Sequence, residues 1–206
     1  MIVKKIPVGS LGANCYMLGD EESGKAIVID PGAEGAKILD LVNELSLELK
    51  YIVNTHGHYD HIGANQFLLQ KSQSKLLIHQ DDSEFLVDPK KNLSSLSISG
   101  KIEGPKADRL LTEGDEISCG KWELEVIHTP GHTPGGITLL GNGKLFVGDT
   151  IFARGVGRTD FPYGSKEVLM ESIQEKLLPL ADELEVFPGH GPKGKLGEIK
   201  ASNPFL

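Results

Sequence analysis

The chain has 206 residues, of which 39% are hydrophobic and 24% charged, a composition typical of a soluble globular protein rather than a disordered or membrane one. Its net charge of −8 argues against a nucleic-acid-binding surface, which needs clustered Lys and Arg. No apolar run approaches the roughly 20 residues of a membrane helix, and Cys15 and Cys119 form no CxxC pair. We therefore expect one domain over residues 1–206, in a reducing cytoplasm, with no nucleic-acid or membrane partner.

The first half of the chain predicts strands separated by turns and two helices. The helix at 35–47 carries Ile38, Leu41, Val42 and Leu45, a spacing of three and four that fits an amphipathic helix. A second helix is predicted at 62–69. The predicted strands are 1–8, 15–18, 26–30, 51–53 and 76–78.

The second half begins with a polar stretch, 90–106, which we interpret as a long surface connection that could pass over the active site. A helix is predicted at 165–178, with Ser165 as its N-cap. The predicted strands are 116–118, 122–127, 137–140, 145–147 and 185–187. Two sets of strands, each with helices, predict an α/β fold in which two mixed sheets are covered by helices, a four-layer αββα sandwich.

Residues 55–63, which read THGHYDHIG, place three histidines and an aspartate within six positions. His56 and His58 are two residues apart, so in an extended segment both side chains leave the same face and can bind one ion. Asp60 and His61 follow and can turn towards a second ion. Imidazole and carboxylate ligands suit zinc, iron or manganese, so the run predicts a metal site.

Three further turns offer ligands of the same kind, each directly after an apolar strand. His132 lies in Pro-Gly-His-Thr, Asp149 in Gly-Asp-Thr, and His190 in Pro-Gly-His-Gly. Each turn alone is weak evidence, but their order after the first cluster strengthens the prediction. His79 and His128 are interpreted as structural or solvent-facing.

With these motifs the chain resembles the metallo-β-lactamase superfamily, and most closely its glyoxalase II (hydroxyacylglutathione hydrolase) branch. The resemblance runs from Asp30-Pro31-Gly32 to the end of the chain. It implies two divalent metal ions between the sheets, zinc first, with iron or manganese as alternatives. One ion would be held by His56, His58 and His132, the other by Asp60, His61 and His190, with Asp149 bridging them.

The resemblance also implies the chemistry of a dinuclear metal-dependent hydrolase. A hydroxide between the ions would attack a carbonyl carbon, with Asp60 orienting it, and the substrate would be a small-molecule hydroxyacyl thioester such as S-lactoylglutathione. Arg158 and Tyr163 are carried over as substrate contacts, with pairing of Arg158 to Asp160 as the structural alternative. Asp30, which closes a strand of the same half, is the candidate partner of a metal-binding imidazole, with a turn-forming role in Asp-Pro-Gly as the alternative.

Sixteen residues follow His190, too few for the helical C-terminal domain of the longer glyoxalase II enzymes, so the chain is similar to the compact members of the branch. Two other activities stay open: lactone opening, and a persulfide dioxygenase with one iron, in which a segment similar to 157–161 is found. A β-lactamase is disfavoured because its usual zinc site has a cysteine where this chain has Asp149. An RNA-processing nuclease is disfavoured by the acidity, and a non-enzymatic metal-binding role is the remaining alternative. The sequence leaves the oligomeric state open.

Overall fold

The computed structural model describes residues 1–97 and 100–206. The predicted surface connection at 90–106 includes Ile98 and Ser99, which lie outside the described residues. Within the described residues, none of the helices has the length and apolar character needed to cross a membrane.

The first sheet contains six strands, placed side by side in the order in which they occur in the chain. The first three pair antiparallel, and the third to the sixth pair parallel. They are β1 (Ile2–Val8), β2 (Ala13–Asp20), β3 (Lys25–Ile29), β4 (Glu48–Val53), β5 (Lys75–His79) and β6 (Arg109–Leu111).

The second sheet also contains six strands, in the order β14-β13-β10-β9-β8-β7, with one parallel pair, β10 with β13. They are β7 (Glu116–Cys119), β8 (Trp122–His128), β9 (Ile137–Gly141), β10 (Lys144–Gly148), β13 (Glu185–Pro188) and β14 (Gly194–Lys195). A small separate hairpin is formed by β11 (Ile151–Phe152) and β12 (Gly155–Val156).

The α-helices are α1 (Gly35–Glu44), α2 (Tyr59–Ile62), α3 (Asn65–Lys71), α4 (Lys166–Ser172) and α5 (Leu196–Ser202). Two 3-10 helices occupy Gln80–Leu86 and Ser94–Leu96, and a π-helix occupies Ile173–Leu177. The predicted N-cap is confirmed, since the Ser165 side chain accepts a hydrogen bond from the Val168 amide at 3.3 Å.

All three predicted helices differ from the structure, and the one predicted at 35–47 ends at Glu44. The helix predicted at 62–69 is divided into α2 and α3 because the chain packs closely against the turn after β3: the Ala64 amide donates to Pro31 O at 2.8 Å. A Cβ at Gly63 would lie 2.2 Å from Gly32 O. The helix predicted at 165–178 changes to a π-helix after Ser172, where the Leu178 amide bonds to Ile173 O, five residues back.

Alternating side chains of the strands build the layers. In β2, Cys15 and Met17 pack with Ile38 of α1 on one side of the sheet, whereas Tyr16 and Leu18 pack on the other side, against the second sheet. A third cluster joins β10 and β13 to α4 and α5 through nine buried apolar residues. The layer order is therefore helices, sheet, sheet, helices, which confirms the predicted αββα sandwich with mixed sheets.

The strand directions bring the polar turns to one edge of the sandwich. In the first sheet β3, β4 and β5 run parallel, so Asp30, the run at 56–61 and the 3-10 helix Gln80–Leu86 leave the same edge. In the second sheet β8, β10 and β13 share one direction, because β9 is antiparallel to both β8 and β10. Their following turns carry His132, Asp149 and His190.

Candidate metal centre

The first donor group, defined as His56, His58 and His132, joins the two sheets. His56 and His58 follow β4, and His132 follows β8. Each offers one ring nitrogen, and the three nitrogens lie within 4.8 Å of one another. His58 Nδ1 is 2.9 Å from His132 Nε2, and all three side chains are buried. This convergence is suited to a single cation.

The second donor group, defined as Asp60, His61 and His190, lies beside the first. Asp60 and His61 belong to α2, and His190 follows β13. His190 Nε2 is 3.2 Å from Asp60 Oδ2, and His61 Nε2 is 3.6 Å from the same oxygen. These three donors also lie within 4.8 Å of one another.

Asp149 lies between the two groups. Its Oδ1 is 3.7 Å from His61 Nε2, and its Oδ2 is 3.7 Å both from His132 Nε2 and from His190 Nε2. One carboxylate therefore reaches nitrogens of both groups, so the structure brings all seven predicted ligand side chains together. A Cβ at Gly189 would lie 2.1 Å from Asp149 Oδ1, so the turn before His190 needs a glycine there.

Several donor atoms in this region are buried without a partner. Among the described residues, His56 Nε2, His61 Nε2 and Asp149 Oδ1 have no hydrogen-bond partner. Buried polar atoms are normally satisfied, because leaving one unpaired costs on the order of 1–3 kcal/mol. Nitrogen and carboxylate donors aimed at a common point fit zinc, iron or manganese, so the residues present fit the two ions that the sequence predicts.

The other ring nitrogens of these histidines are held from behind. His61 Nδ1 is 3.1 Å from Asp30 Oδ2, and His132 Nδ1 is 2.6 Å from Arg158 O. His56 Nδ1 is 3.2 Å from Thr55 Oγ1. Such contacts orient the imidazole and leave Nε2 directed towards the ion, which is the usual arrangement behind a metal-binding histidine.

Asp30, which the sequence predicts as the partner of a metal-binding imidazole, lies behind His61. It is buried and accepts hydrogen bonds from the Thr55 amide at 2.7 Å and the Thr55 hydroxyl at 2.6 Å, besides its contact with His61. Its backbone has φ of 51°, a left-handed conformation that Asp tolerates better than most residues. Asp30 therefore orients His61, one ligand of the second donor group.

Asp82 is a functional candidate that the sequence analysis missed. Its side chain is buried and accepts hydrogen bonds from the Gly57 amide at 2.8 Å and the Gly135 amide at 2.6 Å. Gly57 lies between His56 and His58, and Gly135 follows His132 by three residues, so Asp82 fastens both segments of the first donor group. Burial raises the pKa of Asp82 to about 6, although hydrogen bonds from Thr133, Gly135 and Gly57 lower it in part. Asp82 lies three residues after β5, and no residue-type pattern in the sequence marks it as a partner of these amides.

The electrostatics of the two groups differ. Burial and the neighbouring imidazoles hold the pKa values of His56 and His58 well below the ordinary value, so both are neutral donors. For His61, burial is outweighed by the carboxylates of Asp60, Asp149 and Asp30, which raise the pKa to about 10. Burial opposes ionisation of Asp60, but the His61 charge and the His190 hydrogen bond hold its pKa below the usual range. This negative field favours a cation, whether a proton or a metal ion.

A cavity of about 430 Å³ opens above both groups. Its floor includes His58, Asp60, His132, Asp149 and His190, and its walls include Leu11, Leu93, Leu96, Phe152, Arg158 and Phe161. Arg158 thus lies where a substrate could reach it, although its guanidinium bonds to both oxygens of Asp160 at 2.9 and 2.7 Å, the structural alternative that the sequence analysis named. Tyr163 is not among the lining residues and packs edge-on against Phe85, so its substrate contact stays a prediction.

A third polar group, His79, Asp81 and His128, lies apart from the centre. The rings of His79 and His128 are stacked at 4.0 Å with an interplanar angle of 13°. The lone pairs of parallel rings lie in separate planes and do not meet at one point. The structural role predicted for these two histidines agrees with this arrangement.

The family model of the metallo-beta-lactamase superfamily matches residues 8–190, and the chain belongs to this superfamily. It is 38% identical over 209 residues to hydroxyacylglutathione hydrolase GloC of Haemophilus influenzae, covering 100% of this chain and 98% of the relative. It is 37% identical over 201 residues to the mitochondrial persulfide dioxygenase ETHE1 of Bos taurus, covering 93% of this chain and 70% of the relative.

Two solved structures share the fold over nearly their whole length. The BLEG-1 B3 metallo-beta-lactamase superposes with a TM-score of 0.95 at 34% identity, covering 100% of this chain and 99% of the other. TTHA1623 in a di-iron-bound form superposes with a TM-score of 0.87 at 32% identity, covering 99% of this chain and 100% of the other. Relatives named for three different reactions share this fold, so the reaction must be argued from the site itself.

Proposed function

We propose that this protein is a dinuclear metal-dependent hydrolase of hydroxyacyl thioesters, with S-lactoylglutathione the first substrate to test. The observation that carries the proposal is the carboxylate of Asp149, placed 3.7 Å from nitrogens of both donor groups at the floor of an open cavity. Zinc is the first choice of metal, and iron and manganese are alternatives for the same donors. The full-length similarity to a hydroxyacylglutathione hydrolase supports this reaction class.

Two bound divalent ions would supply an activated water and polarise the substrate carbonyl. The protein's own residues do the rest. The ionised Asp60 carboxylate faces the cavity and can accept a hydrogen bond from the attacking water, which orients the water towards the carbonyl carbon. The Asp149 carboxylate lies between the two donor groups and fixes their positions relative to each other.

The leaving group decides between substrate classes. Water adds to the carbonyl carbon, the C–S bond breaks, and the products are a carboxylate, a thiol and one proton. A thiol has a pKa of about 8.5, so it leaves without a general acid. The described cavity lining offers no lysine, cysteine or tyrosine other than Tyr59 to protonate a poorer leaving group.

The proposal also covers partner and location. The net charge of −8 supports a small-molecule substrate rather than nucleic acid. Cys15 and Cys119 are free and buried, which supports a reducing cytoplasm, and cell fractionation tests that location.

The test is metal content per chain measured together with turnover. We expect two divalent ions and hydrolysis of S-lactoylglutathione, with activity reduced at least a hundredfold in Asp60→Ala and His190→Ala. Activity that survives both substitutions unchanged would overturn the dinuclear mechanism. Lactone and β-lactam substrates in the same assay test the other hydrolytic reactions.

The persulfide dioxygenase is the second candidate, favoured by its 37% identity to this chain. That reaction uses one iron and oxidises a persulfide to sulfite with O₂. One iron per chain together with sulfite production would replace the hydrolase proposal. Two ions per chain and no sulfite would exclude it.

A further inference from the structure

The mouth of the cavity is apolar, although the site beneath it is charged. Leu96 is 78% exposed and Leu11 is 54% exposed, and both line the cavity. Leu11 belongs to the turn between β1 and β2, and Leu96 ends the 3-10 helix Ser94–Leu96, so two separate segments present an exposed leucine to the same opening. Phe152 and Phe161 continue the apolar wall towards the donor groups.

The one Lys or Arg among the described lining residues is already paired. The Arg158 guanidinium bonds to both oxygens of Asp160, and it stacks on the Phe161 ring at 4.0 Å. Asp160 uses the Nε and Nη2 donors of Arg158, so a substrate carboxylate would share the guanidinium charge with Asp160 rather than meet an unpaired cation. Among its described lining residues, the cavity therefore offers a ligand several apolar contacts and no unpaired Lys or Arg.

We propose that the thiol arm of the substrate is uncharged and binds through the apolar wall formed by Leu11, Leu96 and Phe161. This inference rests on the proposed thioester hydrolysis and names its carrier. Glutathione carries two free carboxylates and an ammonium group, none of which has a counterpart in this wall. A thioester of an uncharged thiol, with an alkyl, aryl or amide-containing arm, covers the exposed leucines while its carbonyl lies over the donor groups.

The first experiment compares lactoyl thioesters of glutathione, N-acetylcysteamine and benzyl mercaptan on the metal-loaded enzyme. We expect kcat/KM for the two uncharged thiols to exceed that for glutathione at least tenfold, through a lower KM. The S-benzyl thioethers of glutathione and of N-acetylcysteamine cannot be hydrolysed, so calorimetry can measure their binding alone. The uncharged thioether should bind more tightly than the glutathione thioether. Hydrolysis with glutathione as the preferred carrier would overturn this inference and leave the proposed function standing, whereas absence of all thioester hydrolysis would overturn both.

The second experiment uses Leu11→Ser and Leu96→Ser, with Leu110→Ser as the matched control. The exposed fraction of Leu110, 51%, is similar to that of Leu11, but Leu110 does not line this cavity. Each cavity substitution should raise KM for the benzyl thioester three- to tenfold and leave kcat within twofold, and the control should change neither. Equal effects of Leu11→Ser and Leu110→Ser would contradict the proposal. Asp160→Asn removes the charged partner of Arg158. It should reduce the ratio of kcat/KM for the uncharged thioesters to kcat/KM for the glutathione thioester.

Discussion

The two donor groups differ in composition and in the way they are held. The first group contains three buried imidazoles, whereas the second contains a carboxylate and His190, whose side chain is 29% exposed. A buried aspartate lies behind each group. Asp30 contacts the ring of His61 itself, at 3.1 Å, but Asp82 accepts hydrogen bonds from the backbone amides of Gly57 and Gly135 beside the ligands.

The two donor groups of one centre are therefore held in place by two kinds of contact, one to a ligand side chain and one to the backbone beside the ligands. In the second group, His61 is oriented by a side chain of its own sheet, since Asp30 and His61 both follow strands of the first sheet. Both groups take ligands from both sheets, but the two segments that carry the first group are joined by Asp82, through the amides of Gly57 and Gly135. Removing Asp30 should therefore misorient a ring, and removing Asp82 should separate two loops.

Metal removal gives the largest expected effect, because it acts on both groups at once. An ion present at a thousandfold its Kd stabilises the folded state by about 4 kcal/mol per site. Chelation should therefore lower the melting temperature and abolish turnover, and zinc should restore both. His132→Ala and His190→Ala should each leave one tight ion, measured by elemental analysis. A melting temperature insensitive to chelator would show that neither group holds an ion.

Asp30→Ala is expected to be the most damaging single substitution behind the ligands. It leaves the Thr55 amide and hydroxyl without their acceptor and breaks a buried contact with His61. We expect the free energy of unfolding to fall by about 3–5 kcal/mol, measured by urea denaturation of the metal-free protein. Asp40→Ala, on the exposed face of α1, is the control and should change it by less than about 0.5 kcal/mol.

Asp82→Ala should lower stability less but should affect the first group selectively. Two buried amides, of Gly57 and Gly135, lose their acceptor, which costs about 2–3 kcal/mol in the free energy of unfolding. We expect one of the two ions to bind at least tenfold more weakly, read by competition with a chromophoric chelator. The adjacent exposed Asp81→Ala is the control. Equal weakening of both ions would contradict the selective role of Asp82.

The ligands could be predicted from sequence because each lies in a local pattern at the end of an apolar strand. The sheet edge that collects these ends then brings distant positions such as His58 and His190 together. Asp30 was predictable for the same reason, since it ends a strand of the same half. The layer order was predicted from two sets of strands, each with helices, and the packing of Tyr16 and Met17 on opposite sides of the first sheet agrees with it.

Asp82 could not be assigned a role from sequence, because its partners lie 25 and 53 residues away and are backbone amides, which leave no residue-type pattern. The break between α2 and α3 was missed for a similar reason, since it arises where Gly63 packs on Gly32. Local periodicity describes which face of an element is buried. It does not describe which backbone groups meet across the fold.

The stacked histidine pair provides the smallest predicted effect and a contrast to both donor groups. Burial, and then the charge of His128, lower the pKa of His79 to about 4, while Asp81, Glu113 and Asp115 oppose this. Between pH 4 and 6.5 His79 is protonated in the unfolded chain but neutral in the folded protein. The free energy of unfolding is therefore highest above pH 6.5 and falls as the pH falls towards 4. Between pH 7.5 and 5 this residue should cost about 2 kcal/mol in the free energy of unfolding.

That contribution is isolated by subtracting the pH dependence of His79→Gln from that of the wild type, with urea denaturation at each pH. Asp81→Asn, which removes a carboxylate 3.7 Å from His79 Nδ1, should make the loss at low pH larger. Because the parallel rings of His79 and His128 have no common point for an ion, added zinc should leave the difference between wild type and variant unchanged. If zinc changed the difference in stability between wild type and variant, His79 and His128 would bind metal. Convergence of lone pairs would then not distinguish the two donor groups from this pair.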